Sequence, residues 1–565
     1  MRRNHLFGVA LTVALVVLAV TAAGGNANAQ EQGYVVLYAE GGSLASARQA
    51  VEAVGGVIVS ENTAVGVATV RSANASFLGD VAAQSALYGA ARNAPVGYQT
   101  PLERPKRDAV EKLTAAERAA ATANEKGKKG GGHAPAAEPL AGLQGDMAMI
   151  HATSDGSYKK QPGDPGVRVG IIDTGVDGSH PDIAPNFDAA LSRNFTTDIP
   201  DVDGPCEHPG CVDPANEDDN GHGTHVAGTI GAALNGLGIA GVAPKVTLVN
   251  IRAGQDSGYF FLQPSVDALT YAADNGIDVV NMSYFIDPWL YNCSANSADS
   301  PTQQLEQRTI VEATNRALDY ADKHGVTLIA AAGNEHTNLD NPTVDNISPD
   351  YPPGSEYHRD VDGSCLIMPT EGKHVIAIGS VGMSGTKADY SNYGLQHTSV
   401  TAPGGYFRDY AGTPQNRTVG NLILSSYPES LAIENGDVNP DGSPNNPFVV
   451  RDCQGGTCAY YQYLQGTSMA SPHAVGVAAL IVSQFGKPDG GKKSGQLTMK
   501  PKDVEKVLTR TATDHACPDP PVINYTIPGR DRPASFNATC IGTTDFNSIW
   551  GDGIVAALAA VSGKK

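Results

Sequence analysis

Three short blocks hold the residue types that acyl transfer needs. Asp173 lies in Val169-Gly170-Ile171-Ile172-Asp173-Thr174-Gly175. His222 lies in Asn220-Gly221-His222-Gly223-Thr224-His225-Val226-Ala227-Gly228-Thr229. Ser468 lies in Gly466-Thr467-Ser468-Met469-Ala470-Ser471-Pro472-His473. A serine hydroxyl is a weak nucleophile at neutral pH and needs an adjacent base. An imidazole can take its proton and return it to a leaving amine, and a carboxylate can fix the imidazole tautomer. A fourth block, Ala331-Ala332-Gly333-Asn334, supplies a side-chain amide suited to a developing oxyanion. Taken singly, each residue has a duller reading as a turn or helix-cap residue. Together, with their flanking glycines, they point to one site.

The surrounding pattern places them. Asp173 follows the apolar run 167–172 and so falls at a strand's carboxyl end, where open α/β sheets bind ligands. His222 and Ser468 precede the apolar runs 226–234 and 474–482, which puts both at helix N-termini. Free amides there suit an anion. His225, three residues after the base, reads as structural.

The order Asp…His…Ser and the strings around each residue resemble the subtilases, the subtilisin-like serine proteases. The resemblance covers residues 31–92 and 165–562. It implies an α/β subtilisin-like fold, with a mainly parallel sheet flanked by helices, behind a small α+β ferredoxin-like propeptide domain. It also implies that Asp173, His222 and Ser468 act as a triad and that Asn334 donates to the oxyanion. Asn281-Met282-Ser283 resembles the family strand that pairs with substrate backbone, and residues 330–333 would form one wall of the primary pocket, which makes Ser283, Tyr284, Ala332 and Gly333 candidate substrate-binding residues. The family usually continues Leu-Gly-Gly; this chain continues Tyr284-Phe285, a departure that alters the subsites.

The elements agree with this class. Runs 167–172, 246–251, 279–282, 326–331 and 375–378 are short, apolar and rich in β-branched residues. Helical stretches at 265–275 and 309–324 alternate with them, and a closing helix is expected within 551–561. Residues 31–92 read strand–helix–strand–strand–helix–strand, a small α+β unit. Its role as an inhibitory, folding-assisting propeptide comes from the resemblance. Insertions near 196–216, 284–307 and 405–460 depart from a minimal subtilase.

The boundaries that follow are 1–29, signal peptide; 30–92, propeptide domain; 93–140, flexible linker; and 141–565, catalytic domain. Arg2 and Arg3, the apolar run 6–23 and Ala27-Asn28-Ala29 form the secretory signal. A membrane anchor is the rival reading, disfavoured by that cleavage site. The linker rests on the glycine- and lysine-rich stretch at 126–132.

Charge narrows the partners. Residues 1–140 carry 13 Lys+Arg and 11 Asp+Glu; the remainder carries 26 and 48. So acidic a body disfavours nucleic acid and anionic membranes. The expected partners are protein or peptide substrates and the chain's own propeptide, with the enzyme a secreted, extracellular monomer. The triad requires no cofactor. Acidic residues in 200–220 suit calcium, which subtilases often bind; a solvated acidic loop is the alternative, and Asp218 and Asp219 could instead favour cationic substrate residues. The eight cysteines suggest disulfides. Cys206–Cys211 and Cys453–Cys458 would close short loops, leaving Cys293–Cys365 and Cys517–Cys540. Eight cysteines allow 105 pairings, so other pairings stay open, and a four-cysteine zinc site is the rival. Two functional rivals also stand: a dedicated processing protease for one exported peptide, and a catalytically silent extracellular binding protein.

Overall fold

The computed structural model describes residues 31–93, 110–125, 138–488 and 496–563. The expected signal peptide and the glycine- and lysine-rich stretch at 126–132 lie outside the described residues.

Seven parallel strands form the central sheet. Their order is Val400–Pro403, Val375–Val381, Thr327–Ala331, Val279–Met282, Arg168–Ile172, Thr247–Arg252 and Arg193–Asn194. The central strands are apolar at successive positions because both faces are covered, as parallel sheets require. One face packs on helices His222–Gly231 and Thr467–Phe485, the other on Leu262–Asp274 and Pro301–Lys323. Thr467–Phe485 is apolar on every side because it is buried on nearly every side. Pro301–Lys323 begins in a capping box, with Ser300 and Gln303 satisfying each other's backbone amides. The expected closing helix is shorter than the sequence suggests and spans Ala557–Ser562.

The N-terminal unit runs strand–helix–strand–strand–helix–strand. Its antiparallel sheet has the order Gly56–Asn62, Val67–Ser72, Gln32–Tyr38, Leu87–Arg92, the arrangement expected of a ferredoxin-like unit. One face of that sheet carries the unit's own helices. The other puts Val35, Leu37, Val67 and Ala91 against the helices Leu262–Asp274 and Pro301–Lys323. Polar contacts fix the register: Asn62 Nδ2 donates to Asp267 Oδ1 at 2.8 Å, and Arg92 pairs with Glu306 at 3.2 Å.

Within the expected linker 93–140, the described residues 110–125 differ from a flexible chain. Residues 110–125 are docked on the protein, and Ala115–Glu125 is helical. The cause is local and tertiary. Thr114 and Glu117 form a reciprocal cap at the helix start. Leu113 and Ala121 are buried against the insertion after residue 405. That insertion is an antiparallel sheet ordered Ile423–Tyr427, Thr457–Leu464, Val449–Gln454. All eight cysteines are paired, as Cys206–Cys211, Cys293–Cys365, Cys453–Cys458 and Cys517–Cys540. No cysteine remains for a zinc site.

Candidate active site

Asp173 follows strand Arg168–Ile172 and is fully buried. Its Oδ1 accepts the Thr174 amide at 2.8 Å and meets His222 Nδ1 at 2.7 Å. That bond leaves Nε2 as the ring nitrogen facing the cleft. His222 opens helix His222–Gly231. The helix start is held by Asp218, whose carboxylate accepts from the Gly221 amide at 3.0 Å, the Thr224 amide at 2.9 Å and the Thr224 hydroxyl at 2.6 Å. Asp218 is therefore spent on positioning the base and is not free to meet a cationic substrate residue. The approach of the two blocks demands glycine: a Cβ at Gly223 would lie 2.0 Å from the Gly175 carbonyl oxygen.

Ser468 lies in the first turn of Thr467–Phe485 and lines the same cleft as His222. Pro472 cannot donate to the Ser468 carbonyl four residues back. The Ser283 hydroxyl donates there instead, at 3.3 Å, and itself accepts from Asn281 Nδ2 at 2.9 Å. Asn334 is fixed by its oxygen: Oδ1 accepts from the Thr467 amide and hydroxyl, each at 2.9 Å. Its NH₂ group is thereby turned away from Thr467. Among the first-turn amides of the serine helix, Thr467 donates to Asn334 and Met469 and Ala470 donate to the Gly466 carbonyl, which leaves the Ser468 amide for an anion in the cleft.

The cleft has a volume of about 710 Å³ and is walled by Ser283, Tyr284, Gly333, Asn334 and Glu335 among others. Tyr284 stacks flat on Phe260, with centroids 4.2 Å apart. Where the Leu-Gly-Gly continuation has leucine, an aromatic plate stands. Ala332 does not line the cleft with its neighbours. It is fully buried, its amide bonded to the Ile378 carbonyl and its own carbonyl to Asn392. The strand's alternation turns it into the core.

Two residues of this cleft escaped the sequence reading. Glu335 is half-buried beside Asn334 and accepts from Asn392 Nδ2 at 2.7 Å; desolvation pushes its carboxyl pKa up. Glu111 comes from the docked segment and sets Oε2 3.5 Å from His222 Nε2. Gln465 holds it there, its amide donating to the Glu111 carbonyl at 3.3 Å and Nε2 to the Val110 carbonyl at 3.0 Å. Burial alone would lower the His222 pKa, but the carboxylates of Asp173 and Glu111 outweigh it and hold it well above the usual value. The available signal was the cap at Thr114 and Glu117 before an alanine-rich run. His225 is neutral, pushed down to about 3 by burial, and bonds the Ile423 and Gln462 carbonyls.

The loop before His222 folds its acids inward. Asp198, Asp213 and Asp256 surround Arg252, which is 2.8 Å from Asp213, 2.5 Å from Asp256 and 3.9 Å from Asp198. Both carboxylate oxygens of Asp198 are buried without a hydrogen bond among the described residues. Burial and crowding push Asp198 and Asp219 up to about 6, and Asp256 to about 8 despite Arg252. Two carboxylate trios, Asp198–Glu207–Asp256 and Asp213–Asp219–Asp256, present oxygens within 4.8 Å of one another. One guanidinium leaves this group with excess negative charge, and its hard oxygen donors fit a divalent cation such as calcium.

The comparisons agree with this geometry. Residues 164–527 match the model of the subtilase family, Peptidase_S8. Subtilisin DY of Bacillus licheniformis is 28% identical over 348 residues, 62% of this chain and 84% of that protein. Thermitase of Thermoactinomyces vulgaris is 28% identical over 320 residues, 56% of this chain and 76% of that protein. In fold, the epidermin leader peptide processing serine protease of Staphylococcus aureus superposes with a TM-score of 0.59 at 20% identity, covering 94% of this chain and 98% of the other. The chain belongs to the subtilase family and is a serine-type peptidase.

Proposed function

We propose that the chain is a secreted endopeptidase, made as a precursor that processes itself and then cuts other proteins or peptides. The observation that carries this reading is the Asp173–His222 hydrogen bond, which aims the other imidazole nitrogen into a cleft shared with Ser468 and Asn334. Ser468 Oγ attacks the scissile carbonyl carbon while His222 Nε2 takes its proton. Asp173 stabilises the imidazolium that forms. The tetrahedral oxyanion is received by the Asn334 side-chain amide and the Ser468 backbone amide. Collapse breaks the C–N bond as His222 returns the proton to the leaving amine. Water then enters by the same route and releases the acyl group from Ser468. No cofactor is needed.

Residues 31–93 act in this scheme as the inhibitory and folding-assisting propeptide, held on the two helices by apolar contact and the Arg92–Glu306 pair. The segment at 110–125 adds a direct block. A carboxylate at Nε2 stabilises the imidazolium, and an imidazolium cannot accept the serine proton. Four disulfides suit an oxidising, extracellular setting. The enzyme works as a monomer, and the carboxylates around Arg252 hold a structural calcium ion.

A narrower role, as a processing protease for one exported peptide, is favoured by the insertions. Tyr427 and Leu431 of the inserted sheet and its helix crowd Gly221 beside the base. The fold likeness to a leader-peptide processing protease runs along nearly the whole chain. A mixed peptide library separates the readings. A processing enzyme cuts very few members, whereas broad cleavage rules that role out.

Three outcomes test the main reading. The Ser468→Ala precursor stays uncut in a clean host while wild type is processed, and Asn334→Ala lowers peptide turnover on the order of 10²–10³-fold; equal processing by wild type and Ser468→Ala would sink the catalytic assignment. The base must be neutral, so self-processing slows as pH falls through the raised His222 pKa. Glu111→Gln removes one of the two carboxylates that raise it and moves the midpoint of the rate–pH profile to lower pH; an unmoved midpoint means Glu111 does not act on the base. Chelation lowers the melting temperature, and a melting curve unchanged by chelator counts against the cation.

A further inference from the structure

The segment that enters the cleft continues onto a surface shaped to receive it. Beyond Glu111, Leu113 is buried and Ala115–Glu125 follows as a helix. Leu113, Glu117, Arg118 and Ala121 recur at helical spacing, and all four face the protein. Leu113 and Ala121 join an apolar cluster with Phe407, Leu422, Phe448 and Tyr463. At one edge Glu117 pairs with Arg408 at 2.8 Å, both groups largely buried. At the other, the Arg118 guanidinium lies 4.5 Å over the Phe448 ring and 3.8 Å from Asp437. Most of this trough comes from the insertion at 405–460, and its edges carry opposite charges.

We propose that this trough is a substrate-docking site, separate from the cleft, for a polypeptide segment that folds as an amphipathic helix. The segment bears an apolar residue, an acidic residue four positions on, an arginine five on and a small apolar residue eight on. This rests on the reading of the chain as a self-processing endopeptidase, since the helix at 115–125 must leave before a substrate can dock. Residues 110–125 run from His222 outward to the trough. A substrate lying in the same direction therefore places the sequence on the carboxyl side of its cut there. The pairing of Glu117 with Arg408 and of Arg118 with Asp437 sets polarity as well as place: a helix laid in reverse meets like charges at both edges. A substrate is thus chosen partly by sequence that the catalytic residues never touch.

The test uses the self-processed product of the full chain and synthetic peptides, so no variant enzyme has to fold. A short chromogenic peptide first reports catalysis, and its failure to be cut would count against the endopeptidase reading itself. With that activity in hand, a peptide of residues 110–125 inhibits competitively. Changing Leu113→Ser together with Glu117→Lys in the peptide weakens inhibition at least tenfold. Appending the helix to the carboxyl side of a cleavable sequence lowers KM at least tenfold with little change in kcat. Equal inhibition by the parent and doubly changed peptides overturns the proposal, as does an unchanged KM. So does inhibition that is lost with Glu111→Gln alone and is indifferent to Leu113 and Glu117, because only the contact with the base would then matter.

Discussion

The site depends on one hydrogen bond made out of water, between Asp173 and His222. A carboxylate with no solvent around it needs donors supplied by the fold. Thr174 and His222 supply them to a single oxygen, while Oδ2 has no partner among the described residues. The bond therefore tolerates little displacement. It joins a strand end to a helix start, and these come close enough only if no side chain intervenes. Gly223 lies almost on the Gly175 carbonyl, so the glycines flanking the catalytic residues are steric requirements of that contact. Asp218 completes the arrangement by tying down the helix start. The parallel sheet holds Asp173 at its carboxyl edge, and the long buried helix after Gly466 brings Ser468 to the same edge.

This explains which parts were legible in the sequence. Strands buried on both faces must be apolar at every position, and five of them announced the sheet. The blocks around Asp173, His222 and Ser468 were legible because close backbone approach restricts residue choice over several consecutive positions. Ala332 was misplaced because a recognisable string does not say which of its members alternate inward. The segment at 110–125 was hidden for a different reason. Its residues are charged and small, its own apolar content is slight, and its order comes from a surface contributed by residues some 300 positions later in the chain. Local pattern carries no trace of that surface.

Charge burial gives the insertions their rigidity where apolar packing is thin. Arg359 is fully buried, bonded through two nitrogens to Asp299 and through a third to Asp345, with its guanidinium 4.8 Å from the Trp289 ring centroid. This one side chain ties the insertion at 284–307 to the loop around residue 345. Arg252 does the same for the loop before His222, holding Asp198, Asp213 and Asp256 together. Removing either arginine would leave buried carboxylates unpaired, which costs far more than the pair contributes. The rim of the cleft is therefore ordered by ion pairs, while its floor is ordered by the sheet.

That division bears on the latency we propose for the precursor. The N-terminal unit lies on two helices at the face of the sheet opposite the serine helix, and among the described residues its own contacts do not reach His222. The group that reaches the base is Glu111, carried on a segment that the inserted sheet holds in place. Blocking the base and occupying the trough are then one binding event, because the same sixteen-residue segment does both. Weakening the contact at Leu113 or Glu117 loosens the carboxylate from the imidazole without altering either catalytic residue. On the reading proposed above, the surface that selects a substrate and the surface that restrains the precursor are the same surface.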